Sequence, residues 1–342
     1  MGYRVENVAG MAEENRELAE FLASFVRKGE LAAPKEGDDC ANVWQRRMSW
    51  WWNENPFCRE ASPRGFVLKT EDGEIVGFNG LVPFDYEVDG EVVPTLVTTT
   101  FFVREEHRSA VMGMLAKQRA LSREYQIIDG SPSREMRRLL DKFGYRHAGK
   151  RYQFFFPLQS LGGGVSRALL RPFGLSFKLP QPRADDGFHL AGHPREIESI
   201  PDVGDGRLRR RVTRESLAWL CEVGSGERQF FGLCDVRGTL VAHAIGLYKH
   251  RGGLRACLLM DYADFSPEGD GVARLIAKIA DSPETARLDP GTNLLTWSAF
   301  DGRDRPSGGG LKRDSILHFH VPKRWESYEK ACLPFEGDLP LL

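Results

Sequence analysis

Three groups of residues in this 342-residue chain have types and spacing suited to chemistry. The first is Arg104-Glu105-Glu106-His107-Arg108 followed by Ser109-Ala110-Val111-Met112-Gly113, a basic turn of small residues leading into a helical pattern at Met112, Leu115, Ala116 and Arg119. Cations and unpaired backbone N–H groups at a helix start suit a phosphate, and small residues let the backbone approach it; a solvated basic turn is the plainer reading. The second group is carboxylates on strands. Asp261 and Asp264 interrupt the apolar run Leu258–Phe265, and a carboxylate on a buried strand has a raised pKa suited to a general base, which makes Asp261 the first candidate. The competing reading has Asp261 facing solvent or paired with an arginine. Glu87 is the second candidate, alongside Asp85, Tyr86 and the hydroxyls of Thr98 to Thr100, against the reading of these as polar positions on a half-exposed strand. The third group is His318 and His320 on one face of a strand; no third ligand accompanies them, so they are expected to be exposed strand residues and no metal is expected. The run Arg207–Arg211 with Arg214 reads as a solvated face, able to attract an anionic acceptor.

The elements that must position these groups can be read in order. Tyr3–Val8 is a short strand, and Met11–Lys28 an amphipathic helix with Leu18, Phe21, Leu22 and Phe25 on one face. Val43–Trp52 is helical. Three consecutive tryptophans on a helix point in different directions, so Trp50, Trp51 and Trp52 predict core plus a rim contact, or a wall of a substrate pocket. Gly65–Thr70 and Glu74–Val82 form a hairpin through Asp72-Gly73, Phe84–Val88 is a third strand, and Glu91–Val103 follows the turn at Asp89-Gly90. After the basic turn and its helix come the strand Tyr125–Asp129, Ser133 as N-cap of the helix Arg134–Lys142, and Gly144 where a left-handed terminating residue belongs. Tyr152–Leu158 is an aromatic strand in the place where such a domain completes its sheet.

This order resembles the coenzyme A-binding core of the GNAT acyltransferase superfamily. Arg108-Ser109-Ala110-Val111-Met112-Gly113 matches the first and last positions of the pattern Arg/Gln-x-x-Gly-x-Gly/Ala, with Val111 in place of the first glycine, and Gly144-Tyr145 stands for the terminal Gly-Phe. The resemblance implies an α/β fold with a mixed sheet, an acyl-CoA such as acetyl-CoA as co-substrate, and transfer of the acyl group to a primary amine. It further implies an oxyanion donor among the backbone N–H groups near Phe102 or Val103, and pyrophosphate contacts from Arg104, Arg108 and the backbone from Ser109 to Gly113. The tyrosine that serves many such enzymes as general acid is here Leu140. The asparagine that often opens the same helix is Ser133, a hydrogen-bonding partner for the pantetheine arm.

The second half repeats the first in outline. Thr213–Leu220 echoes Arg46–Trp51; Gln229–Asp235, Arg237-Gly238 and Leu240–Tyr248 echo a strand, turn and strand; Leu254–Phe265 stands for Val92–Val103. A helix beginning near Gly269–Gly271 and the strand Thr292–Phe300 follow. The repeat fades in the glycine-rich loop Asp301–Lys312, before the strand-like Ile316–Val321. Two like modules are therefore expected: residues 1–158 as the acyl-CoA-binding unit, a Gly- and Pro-containing linker at 159–186, and a degenerate second unit at 187–342.

Composition narrows the classes. There are 47 basic and 48 acidic residues, a balance that points to neither nucleic acid nor an anionic membrane surface. Six cysteines show no C-x-x-C pattern, and no apolar run approaches the roughly 20 residues of a spanning helix, so a reduced, cytoplasmic protein is expected. The expected partner is a small-molecule amine, an amino sugar or amino acid derivative, with a homodimer compatible. The departures at Val111 and Leu140 keep two alternatives open: a Fem-type aminoacyltransferase using aminoacyl-tRNA, and a non-catalytic binding protein that retains two degenerate folds.

Overall fold

The computed structural model describes residues 2–8, 10, 15–27, 39–130, 132–158, 187–221, 228–251, 254–281, 287–289, 291–300, 311–314 and 317–330. The expected linker and most of the glycine-rich loop lie outside these residues. In chain order come β1 (Tyr3–Asn7), α1 (Arg16–Arg27), α2 (Cys40–Met48), β2 (Gly65–Thr70), β3 (Ile75–Val88), β4 (Glu91–Val103), α3 (Val111–Leu121), β5 (Gln126–Asp129), α4 (Arg134–Lys142), β6 (Arg146–His147) and β7 (Lys150–Pro157). Then follow β8 (His189–Ala191), β9 (Arg207–Arg210), α5 (Arg214–Cys221), β10 (Arg228–Cys234), β11 (Leu240–Arg251), β12 (Leu254–Asp264), α6 (Gly271–Asp281), β13 (Leu294–Phe300), β14 (Leu311–Asp314), β15 (His318–His320) and β16 (Glu329–Lys330).

The strands build two mixed sheets. The first runs β1-β2-β3-β4-β5-β15-β6, with β9 on β3 and β16 on β9; the second runs β14-β7-β13-β12-β11-β10-β8. Each has one internal parallel pair flanking a helical crossover, β4 with β5 and β12 with β13. The sheets exchange strands: β7 pairs antiparallel with β13 in the second sheet, while β15, from near the other end of the chain, pairs with β5 in the first. The expectation that Tyr152–Leu158 completes the first sheet is thus corrected. Its buried aromatics fit the other core, where Phe154 stacks on Trp297 with centroids 5.5 Å apart.

Two further expectations change. Pro83 does not divide β3, because β2 ends opposite Gly80 and β9 starts at Tyr86, so the proline lies in the gap between them, where no ladder donor is required. There its carbonyl accepts from Asn55 Nδ2 at 2.9 Å. The three tryptophans are all buried, at 4%, 0% and 2% exposure, because Ser49–Asn53 continues α2 as a wider π-helical turn.

The helix caps follow the sequence closely. Ser133 Oγ accepts from Met136 N–H at 3.2 Å, and Gly144 ends α4 at φ +79°, a conformation that costs glycine little. Among the described residues no helix is long and apolar enough to cross a membrane.

Candidate active site

The feature that distinguishes β4 is a bulge. Gly80 pairs with Thr99 and Phe78 with Phe102, so Asn79 alone faces two residues, Thr100 and Phe101. Thr100 is 3% exposed and sits at φ +51°, a strained conformation for a β-branched residue, braced by a 3.2 Å contact between its hydroxyl and that of Thr99. On its other edge β4 pairs with β5 only from Thr95 to Thr98, where β5 ends at Asp129. Beyond Thr98 the two strands part, and among the described residues no strand flanks β4 on that edge.

Ladder parity then picks out one amide. Arg104 N–H donates to Val76 C=O at 2.9 Å, and alternation along the antiparallel pair turns Phe102 toward β3 and Val103 away from it. The N–H of Val103 therefore points into the open split, and that of Phe102 does not. A backbone N–H held in a strand beside a cleft can stabilise an oxyanion.

The basic turn differs from its expected form. Residues 105–110 wind as a 3-10 helix that runs straight into α3, engaging amides in bonds such as His107 N–H to Arg104 O (2.9 Å) and Val111 N–H to Arg108 O. Glu105 and Glu106 occupy its first turn. Ser109, Ala110, Val111, Met112 and Gly113 thus form no open cradle, although Ser109, Met112 and Gly113 are exposed. Arg104 pairs with Glu74 and lies over the ring of Phe21, and His107 is buried against the hydroxyl of Tyr3 at 3.0 Å. Arg108, its side chain 66% exposed, lies 3.9 Å from the exposed Glu105 carboxylate at the surface, where it can also meet an anion. Ser133 is exposed at the start of α4.

The two carboxylates chosen as bases are not brought to the split. Asp261 is 0% exposed: its Oδ2 lies 2.5 Å from Arg210 Nη2 and 3.3 Å from His243 Nε2. Burial pushes this carboxyl up, but Arg210 and the His243 hydrogen bond more than offset it, holding Asp261 below its ordinary value, opposite to the expected rise. Glu87 lies near the far end of the β3–β4 hairpin opposite Val92, roughly 23 Å along the strand from Gly80 at ~3.3 Å per residue. Burial raises its pKa against the pull of Arg211, 3.7 Å away.

Other expectations are also corrected. Arg207, Arg209 and Arg210 are buried on β9, which docks on β3, so that part of the run is not a solvated face, while Arg211 and Arg214 are exposed. His318 is 2% exposed, with Nε2 3.3 Å from Asp141, and His320 is half-buried with its pKa pushed down to about 4, chiefly by burial. Among the described residues no cluster of three or more His, Cys, Asp or Glu is placed to hold a metal ion.

The second sheet repeats the bulge. Ile245 pairs with Asp261 and Gly246 with Leu259, leaving Met260 extra, and β12 parts from β13 after Leu259. Here the helix start is filled from within. Asp264 accepts from Ser266 N–H (2.9 Å) and Val272 N–H (3.0 Å), while Ser266 Oγ accepts from Asp270 and Gly271 N–H, both at 3.0 Å.

The sequence carries no signal for the bulge itself, since threonine does not favour left-handed backbone; a polar Asn79 inside an apolar strand is the nearest hint.

Solved structures have a similar overall fold. A probable N-acyltransferase from Enterococcus faecalis aligns with TM-score 0.59 at 10% identity over 95% of this chain and 74% of its own. A GCN5-related N-acetyltransferase from Anabaena variabilis gives 0.56 at 12% identity, covering 94% and 74%. One from Kribbella flavida gives 0.51 at 12% identity, covering 94% and 73%. The fold is that of GCN5-related N-acetyltransferases. No protein-family model matches the chain, and no curated protein matches it in sequence. Within this fold the paired bulges mark the chain as two copies of one α/β plan that exchange a strand.

Proposed function

We propose that the chain is an N-acyltransferase that holds its acyl donor in the split between β4 and β5 and transfers the acyl group to a primary amine. The observation that carries this reading is the bulge at Thr100, after which ladder parity turns the Val103 N–H toward the split. The amine nitrogen attacks the thioester carbonyl, the Val103 N–H stabilises the tetrahedral oxyanion, the C–S bond breaks, and the thiolate leaves while the amine gives up a proton. The names of the similar structures, acyl- and acetyltransferases, support this reaction class.

Acyl-CoA is the proposed donor, with Arg108 at the turn and Ser133 at the start of α4 as contacts for its phosphates and pantetheine arm. Residues 1–158 are the proposed donor-binding module, and the second module, whose helix start is filled by Asp264, contributes to the acceptor side. The acceptor is a small amine.

A second reading is favoured by the closed 3-10 turn and its two glutamates: a donor without a pyrophosphate at this turn, such as aminoacyl-tRNA. Titration calorimetry with acetyl-CoA and CoA, followed by turnover against an amine panel, separates the readings. Binding that weakens about tenfold or more in Arg108→Ala is expected for the first. No binding to the folded protein rejects acyl-CoA, activity lost on ribonuclease treatment favours the second, and binding without turnover favours a non-catalytic protein.

A further inference from the structure

A chain of buried amides and a phenol connects the bulged region to both helices beside the split. Asn79 is the residue on β3 that faces the bulge. Its Nδ2 donates to Gln118 Oε1 of α3 at 2.7 Å, and Gln118 Nε2 donates to the hydroxyl of Tyr145, just beyond α4, at 2.9 Å. The three residues are 0%, 1% and 6% exposed. Around them the packing is apolar: Leu81, Leu96 and Met114 belong to one cluster, Ile127 and Leu140 to the next.

A core built for stability alone would fill this space with hydrocarbon. Instead Asn79 Oδ1 is buried with no partner among the described residues, a condition that is costly to stability. A directional contact is therefore maintained at some expense in stability, and what it fixes is the position of Asn79 relative to α3. That matters because β4 holds Thr100 at φ +51°, a conformation that persists only if its surroundings impose it. Gly80, beside Asn79, leaves no slack: a Cβ there would come within 3.0 Å of Thr99 backbone oxygen.

We propose that Asn79, Gln118 and Tyr145 are positioning residues that hold the β4 bulge, and with it the Val103 N–H, in register with α3 and α4. Gln118 is the central member, since it alone bonds both ways. This inference rests on the acyltransferase reading for its catalytic consequence, but the mechanical claim is independent of it.

Hydrogen exchange by mass spectrometry on wild type, Gln118→Leu and Gln118→Glu tests the claim. Gln118→Leu removes both bonds; Gln118→Glu keeps an acceptor for Asn79 and gives the Tyr145 hydroxyl an oxygen to donate to, so both bonds survive. Peptides spanning 98–104 should exchange about tenfold or more faster in Gln118→Leu and within about threefold of wild type in Gln118→Glu, while peptides of β10 and β11 stay unchanged. If 98–104 is unaffected, or if exchange quickens equally throughout the chain, the proposal is overturned. If Gln118→Leu does not fold, Tyr145→Phe gives the same reading through loss of one bond. With an amine substrate in hand, kcat should fall about tenfold or more in Gln118→Leu with the donor KM within about twofold, and recover in Gln118→Glu. Loss of folded protein alone would leave kcat per folded molecule unchanged and count against the proposal. Wild type without any turnover defeats the acyltransferase reading and leaves the exchange result to decide the positioning role.

Discussion

Trp50 and Trp219 each donate an indole hydrogen bond to the other's main-chain carbonyl, at 3.0 and 2.9 Å, with their rings stacked 4.8 Å apart. A reciprocal pair between equivalent helices of the two halves is what a pseudo-twofold relation produces. Each indole thereby satisfies its donor inside a core that excludes water. Trp219→Phe removes one bond and strands the Trp50 carbonyl, and should cost about 1–3 kcal/mol in urea unfolding. Trp50→Ala should cost about 3–5 kcal/mol. Both halves should still unfold in a single transition, because this contact joins their cores; separate transitions for the two would contradict that.

Asp261 should matter to stability and not to turnover. Replacing it with alanine leaves Arg210 buried without its carboxylate, a change worth about 3–5 kcal/mol. Thermal denaturation reads the loss. Activity per folded molecule should be unchanged, as it should be for Glu87→Gln, and a drop of about a hundredfold in either would return a carboxylate base to the mechanism.

Acid should destabilise the fold through buried histidine. Burial holds His243 below its ordinary value despite the opposing pull of Asp261, so the unfolded chain, with a pKa of about 6.5, binds the proton more readily. This stability is complete above pH ~6.5 and declines below it by up to ~1.4 kcal/mol per pH unit. His320, held near 4, acts in the same direction from ~6.5 down to about 4. Asp261 adds its share only below the ordinary carboxylate range of ~3.9, where its depressed pKa makes protonation unfold the chain. The stability of His243→Gln should vary less between pH ~6.5 and ~5. An unchanged slope would mean that the imidazole is not held neutral.

The strained threonine offers a comparison of neighbours. Glycine adopts φ +51° without the Cβ penalty, so Thr100→Gly should be less destabilising than Thr99→Gly by ~1 kcal/mol. Equal losses in denaturant unfolding would argue that Thr100 is not strained.

Removing the proposed oxyanion donor is the most direct catalytic test. Val103→Pro deletes an N–H that makes no ladder bond to β3, so the sheet should persist while kcat falls by about 10²–10³ and donor binding is retained. Unchanged kcat would remove Val103 from the mechanism.

Much of this protein is written locally. The strands Gly65–Thr70 and Glu91–Val103, the helix Arg134–Lys142 with its Ser133 cap, and the echo of Arg46–Trp51 in Thr213–Leu220 follow from side-chain alternation, turn residues and capping, all of which act between near neighbours. What only the tertiary structure decided depends on long-range pairing. An alternating aromatic strand such as β7 satisfies either sheet, and only competition for edges sends it to β13 while β15 fills the place beside β5. An aspartate on a buried strand could be a base or an ion-pair partner, and only the arrival of Arg210 from β9 made Asp261 the latter. The turn after β4 had the composition of a phosphate loop, yet Tyr3 on β1 and Glu74 just before β3 hold His107 and Arg104 while the backbone closes into a 3-10 helix. The bulge that opens the Val103 N–H arises from a register shift against β3, a relation between two strands that neither strand's sequence expresses alone.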